Sequence, residues 1–202
     1  TGSRGYVGTL DVSGSATSNL RLLNATSVSG VVYWDRNGNG RVDSSEGIAG
    51  ARIALTDDQS RLNVAVTDST GAFTLTLFGN RTYSGSITAD GFAPFPIHTT
   101  TAAGIGPGVA WNLTPLPVSV TGTVYLNGGG ADASLSFIAR AGGAITAHAN
   151  SALDGTYSVS LAPGSYVAYA TRPVGSSGFL GTLTVPHAAS SSFNLVLEPA
   201  FQ

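Results

Sequence analysis

Twelve residues, Asp35-Arg-Asn37-Gly-Asn39-Gly40-Arg41-Val-Asp43-Ser-Ser-Glu46, set oxygen-bearing side chains at positions 1, 3, 5, 9 and 12 of a loop, with glycine at position 6. That spacing suits a hard divalent cation. When such a loop coils, the side-chain oxygens of Asp35, Asn37 and Asn39 converge, Gly40 permits the sharp turn, and Arg41 offers its backbone carbonyl. Asp43 acts directly or through water, and Glu46 closes the shell with two oxygens. Glu occurs only twice in the chain, so the match at position 12 does not come from an acid-rich composition. Three carboxylates around one ion favour Ca2+ over Mg2+, which demands a near-ideal octahedron and keeps several waters.

Other chemistry is thinly represented. With no Cys, disulfides and Cys-based zinc or iron–sulfur sites are excluded. All nine basic residues are Arg, so Lys–Asn isopeptide staples, Lys-linked pilus polymerisation, Schiff bases and a phosphate-loop Lys are excluded within this sequence. His98, His148 and His187 lie far apart in Ser-, Thr- and Ala-rich surroundings, and no nucleophile-elbow pattern is present. No catalytic residue is assigned, and an enzyme is not expected. The net charge of −2 and a charged fraction of 10%, against a typical ~25%, argue against electrostatic nucleic-acid binding. Trp34 and Trp111 could be stacking platforms for a ligand, but both sit in strand patterns and are expected in the core. Ser86–Pro96, with Phe92 and Phe95 among prolines, reads as a loop covering a sandwich end.

The elements that position these residues are strands. Apolar and polar residues alternate over Val28–Trp34, Ala51–Thr56, Ala72–Phe78, Ser119–Leu126, Tyr157–Leu161 and Tyr166–Thr171, and Gly, Asn, Asp or Pro clusters separate the runs. No window shows a helical period, so helix is expected to be nearly absent. The longest apolar runs fall short of the roughly 20 residues a membrane-spanning helix needs. No charged-then-apolar leader opens the sequence, so any signal peptide is expected to be already removed or to lie outside it.

Internal repeats organise the chain. Gly2-Ser-Arg-Gly-Tyr-Val-Gly-Thr-Leu10 parallels Gly175-Ser-Ser-Gly-Phe-Leu-Gly-Thr-Leu183, and Asn19-Leu-Arg-Leu22 parallels Asn194-Leu-Val-Leu197. A weaker copy is Trp111-Asn-Leu-Thr114, so an Asn-Leu pair recurs at 19, 112 and 194. Each copy reads as the closing strand of a β-domain. The expected organisation is a sandwich over 27–117, a second over 118–202, and residues 1–26 as closing strands of a preceding or neighbouring domain. Tyr6, Val7, Leu10, Val12, Leu20 and Leu22 would then be the residues such donor strands insert into a groove.

The stretch from Val28 to Leu55, followed by Thr67-Asp-Ser-Thr-Gly-Ala-Phe73, resembles the calcium-binding B-type domains of serine–aspartate repeat surface proteins over about residues 28–90. The resemblance implies an immunoglobulin-like, transthyretin-like sandwich on a cell surface, with calcium in a stalk or adhesin. Val120-Thr-Gly-Thr-Val-Tyr125 and Asp154-Gly-Thr-Tyr-Ser-Val-Ser-Leu-Ala-Pro-Gly-Ser-Tyr166 resemble the carboxypeptidase regulatory-like branch of that superfamily. There the first strand leads into Asn127-Gly-Gly-Gly130, which lacks the carboxylates, so no metal carries over to the second domain.

The expectation is an all-β, extracellular structural protein built of tandem immunoglobulin-like sandwiches: a stalk repeat, or a filament subunit that polymerises with copies of itself by strand complementation and is stabilised by Ca2+. The alternative is an adhesin module contacting a glycan or host protein. Three glycosylation sequons begin at Asn24, Asn80 and Asn112, of which Asn112, in a strand pattern, is expected to be the least accessible. A domain of about 85 residues buries only some 60–65% of its unfolded surface, which leaves calcium as the visible staple of the first.

Overall fold

A computed structural model describes residues 4–5, 23–140, 145–172, 178–187 and 189–197. The chain divides into two compact units, Thr1–Asp35 with Gly40–Leu113 and Arg36–Asn39 with Thr114–Gln202. Both are all-β. The first unit runs β1 (Arg4–Gly5), β2 (Leu23–Tyr33), β3 (Arg52–Asp57), β4 (Leu62–Val66), β5 (Ala72–Phe78), β6 (Thr82–Thr88), β7 (Phe95–Thr101), the four-residue helix α1 (Ala102–Ile105) and β8 (Val109–Asn112). The second runs β9 (Val118–Leu126), β10 (Gly129–Gly130), β11 (Ser134–Ala139), β12 (Ile145–Asn150), β13 (Thr156–Leu161), β14 (Gly164–Thr171), β15 (Gly178–Val185), β16 (Ser191–Ser192) and β17 (Leu195–Val196). Helix is confined to α1 among the described residues, and none is long and apolar enough to cross a membrane.

Period-two patterning makes these strands. Along β5, Phe73, Leu75 and Leu77 point inward while Thr74 and Thr76 face water; along β13, Tyr157, Val159 and Leu161 alternate with Ser158 and Ser160. Burying each large apolar side chain contributes roughly 1.5–3 kcal/mol. In the first unit the sheet β1–β2–β5, with β8 added to β2, and the sheet β4–β3–β6–β7 enclose a core that includes Val28, Val32, Ile53, Leu55 and Tyr83. In the second, β10–β9–β13, with β16 and β17 added to β9, and β12–β11–β14–β15 enclose Val120, Val124, Leu135, Phe137 and Tyr166.

The two units are copies of one topology. In each, the last strand lies parallel to the first long one: β8 along β2 from Gly30 opposite Val109, and β17 along β9 from Val124 opposite Leu195. Gly30 and Gly122 make room for that approach, since a Cβ on either would fall 2.1 Å from Val109 O or 1.9 Å from Phe193 O. A buried hydroxyl joins strands in each copy as well: Thr67 Oγ1 accepts from Ala51 N and donates to Ile48 O, as Ser151 Oγ does with Ala133 N and Ala131 O.

Two boundaries differ from the sequence reading. β2 begins at Leu23 rather than after residue 26, because Leu23 and Asn24 pair with Gly5 and Arg4, and Ala25 and Thr26 pair with Phe78 and Leu77. Arg4 and Gly5 pair antiparallel with Asn24 and Leu23 of the same chain, so these two residues belong to the first unit. The donor-strand candidates Tyr6, Val7, Leu10, Val12, Leu20 and Leu22 lie outside the described residues. The expected loop over 86–96 is shorter, since β6 runs to Thr88 and β7 starts at Phe95.

Candidate metal centre

The 35–46 loop is an insertion into a hairpin. Tyr33 and Gly47 bridge antiparallel, Trp34 N donates to Glu46 O at 2.9 Å, and Ile48 N donates to Val32 O at 2.9 Å. Residues 35–45 are pinched off between these bonds. In the second unit the matching strands β9 and β10 are joined by Asn127 and Gly128 alone, with Leu126 opposite Gly129. Their φ values of 52° and 83° are those of a two-residue hairpin turn. Eleven residues (35–45) therefore stand where two (127 and 128) suffice to reverse the chain.

Inside the loop, side-chain oxygens bind backbone N–H groups. Gly40, at φ 71°, donates its N–H to Asp35 Oδ2 at 2.8 Å, a conformation that a Cβ would strain. Asn39 N donates to Asn37 Oδ1 at 2.9 Å. At the far end Asp43 N donates to Glu46 Oε2 at 3.2 Å and Glu46 N returns a bond to Asp43 O at 3.1 Å. Glu46 is only 2% exposed, whereas Asn37, Asn39 and Arg41 are exposed and Asp35 and Asp43 are half-buried. A carboxylate so deeply placed needs compensation by hydrogen bonds or a cation.

The donor set fits a hard cation in its loop scaffold. Asp35 and Asn37 are already tied into a coil through positions 6 and 5, and Glu46 is held at the base. Among the described residues, however, no three acidic or histidine side chains gather into a metal-holding group. The amide oxygens of Asn37 and Asn39 and the carbonyl of Arg41 would have to supply the remaining positions, as the loop pattern requires.

The sequence reading names Asn112 as a sequon residue and misses its contact with the loop. Its Oδ1 accepts from Asp35 N at 3.1 Å, bracing the first residue of the loop from strand β8. In the second unit Asn194 accepts from Thr123 N at 2.9 Å, inside strand β9 and two positions out of step with Asn112, since Leu197 N donates to Tyr125 O as Leu113 N does to Tyr33 O. Leu113 and Leu195 both enter the cores, but the recurring Asn-Leu pair does not mark equivalent positions of the two copies. Asn112 is exposed together with Asn24 and Asn80, because β8 lies along β2 at the sheet's open side.

The remaining candidates have structural surroundings. Trp34 meets Phe92 edge-on at 6.0 Å, and Trp111 stacks on Phe73 at 5.0 Å, so both pack against the first core. His98 and His148 are exposed, the latter within 3.1 Å of Ser136 Oγ. Asp68 of the Thr67-Asp-Ser-Thr-Gly turn accepts from Thr70 Oγ1, Thr70 N and Ala72 N, bonds that hold its carboxyl below the ordinary range. Asp154 is lowered in the same manner by Thr156 N–H and its hydroxyl. Both are turn-closing groups.

No family model matches the sequence, and no curated protein matches it. Similar solved structures include the Bacillus anthracis TIE protein, at 10% identity and TM-score 0.40, covering 92% of this chain and 39% of that one. GBS52, the minor pilin of the Gram-positive pathogen Streptococcus agalactiae, is 10% identical with TM-score 0.38, covering 87% of this chain and 97% of that one. The shaft pilin SpaA from Lactobacillus rhamnosus GG is 12% identical with TM-score 0.33, covering 88% of this chain and all of that one. The chain spans well under half the length of the first of these.

Proposed function

We propose that the chain is an extracellular structural protein, a tandem module of a surface stalk or filament, whose first sandwich is stabilised by Ca2+ in the 35–46 loop. The observation that carries this reading is the contrast between two copies of one fold. The second copy reverses its chain with Asn127 and Gly128, so the eleven-residue loop of the first is not required by the topology. What the longer loop adds is a series of oxygen donors and a buried Glu46. Asp35, Asn37, Asn39, the Arg41 carbonyl, Asp43 and Glu46 would hold the ion, which would supply a cross-link between the two ends of the loop and no reaction chemistry. A chain without Cys or Lys has few other ways to staple a sandwich of this size.

Calorimetry with Ca2+ and with chelator tests the reading. Ca2+ at a hundredfold excess over Kd should stabilise the sandwich of β2 to β8 by about 2.7 kcal/mol and leave that of β9 to β17 unchanged. Glu46→Gln should abolish most of that response. An identical pair of transitions in both conditions would sink the calcium reading.

A further inference from the structure

Strand β4, Leu62–Val66, forms one edge of the β4–β3–β6–β7 sheet, and no described strand pairs with its outer side. Its register on β3 runs without a bulge from Arg52 opposite Val66 to Thr56 opposite Leu62. Just beyond the two ends, Asp57 N donates to Arg61 O at 2.9 Å and Thr67 N donates to Ala51 O at 3.0 Å. Successive residues of an antiparallel strand turn their backbone groups to opposite sides. Residues 61, 63, 65 and 67 therefore face β3, and Leu62, Val64 and Val66 turn their N–H and C=O toward the open edge.

Those three residues also carry exposed apolar side chains, at 59%, 44% and 60% of full exposure. The second copy of the fold is different at this place: its corresponding strand β12 presents Thr146, His148 and Asn150. Proteins blunt a free edge with polar or charged residues because an apolar one invites another strand. One copy follows that rule and the other departs from it at each outward position.

We infer that β4 is an interface strand, on which a second copy of this chain pairs edge to edge and antiparallel about a two-fold axis through Val64. The strand is complementary to itself. Pairing about Val64 sets each outward residue opposite another outward residue: Val64 meets Val64 of the other copy, and Leu62 meets Val66. Each such pair exchanges two main-chain bonds, about six in all, and brings its apolar side chains together on one face. Such reciprocity is what a shared two-fold contact requires. It depends on neither calcium nor the filament reading.

Sedimentation velocity over a wide concentration series should show a monomer–dimer equilibrium in the full chain. Val64→Pro removes an N–H that β3 does not use, and Val64→Lys opposes two charges across the axis; each should weaken the dimer by at least about tenfold. Circular dichroism checks that both variants fold, and Val64→Lys decides the matter should the proline variant not. Register is read by disulfides, which the Cys-free parent cannot form. Val64→Cys should cross-link with itself on mild oxidation, since hydrogen-bonded partners lie ~5.5 Å apart between Cα atoms, within disulfide reach. Leu62→Cys should not, except when mixed with Val66→Cys. A monomer at every concentration with no Val64→Cys cross-link overturns the inference. So does a dimer that survives both Val64→Pro and Val64→Lys, or one in which Leu62→Cys cross-links with itself, as pairing with some other strand or register would give.

Discussion

Buried tyrosines make the second unit sensitive to alkali. Tyr157 is buried against the first strand, donates its hydroxyl to Phe193 O, and has its pKa pushed up to about 12 by desolvation. Tyr166, which donates to Ala162 O, is raised by the same cause. A group whose folded pKa exceeds its unfolded value contributes stability that is complete below the unfolded pKa and lost as pH rises through the folded one. For Tyr157 that window runs from about 10 to about 12. Denaturant midpoints measured across it should therefore fall steeply for the second unit. Tyr157→Phe, which keeps the ring and removes the ionisation, should flatten that fall. An unchanged slope would show that Tyr157 does not govern it.

The loop and hairpin at the end of the first strands are interchangeable parts of the same fold. Since Trp34 and Glu46 are joined at the base as Leu126 and Gly129 are, replacing residues 35–45 with Asn-Gly should leave the first sandwich folded. Its two central residues can adopt the positive φ that a two-residue hairpin demands. The shortened protein should lose all calcium response while its chelator-treated melting temperature stays close to that of the parent. Unfolding of the first unit in this variant would mean that the loop itself is part of the core, as the depth of Glu46 would then require.

For the molecule as a whole, the expectation that the amino-terminal stretch drives assembly can be tested by truncation. Residues 23–26 belong to β2, so removing 1–26 would damage the first sandwich, whereas removing 1–22 leaves β2 whole and takes away the Arg4–Gly5 pairing. If residues 6–22 donate strands to a neighbour, this truncation should retain both thermal transitions and no longer form filaments. Electron microscopy of the truncated protein under conditions in which the full chain assembles decides it. Filaments of native appearance from the truncated chain would end the strand-donation hypothesis. The β4 edge offers a contact of another symmetry, closed and two-fold, which would join chains laterally and not lengthen them.

The all-β class and the loop were legible in the order of residues because both are local. Strand patterning repeats every two residues, as Ala72–Phe78 shows without error at either end, and the donor spacing of 35–46 lies within twelve consecutive positions. The start of β2 was placed late because Asn24, Ala25 and Thr26 carry no strong apolar signal, and their strand state depends on the partner strand β5. Asn112 was read as a sugar acceptor although it braces Asp35, a residue 77 positions away in the chain. Nor could the run Leu-Asn-Val-Ala-Val at 62–66 declare which of its alternating faces was outside. Alternation states that two faces differ, but packing against β3 and the rest of the core set Ala65 inward and left Leu62, Val64 and Val66 in water. Long-range pairing has no local signature, since the residues that meet are brought together only when the whole sandwich closes.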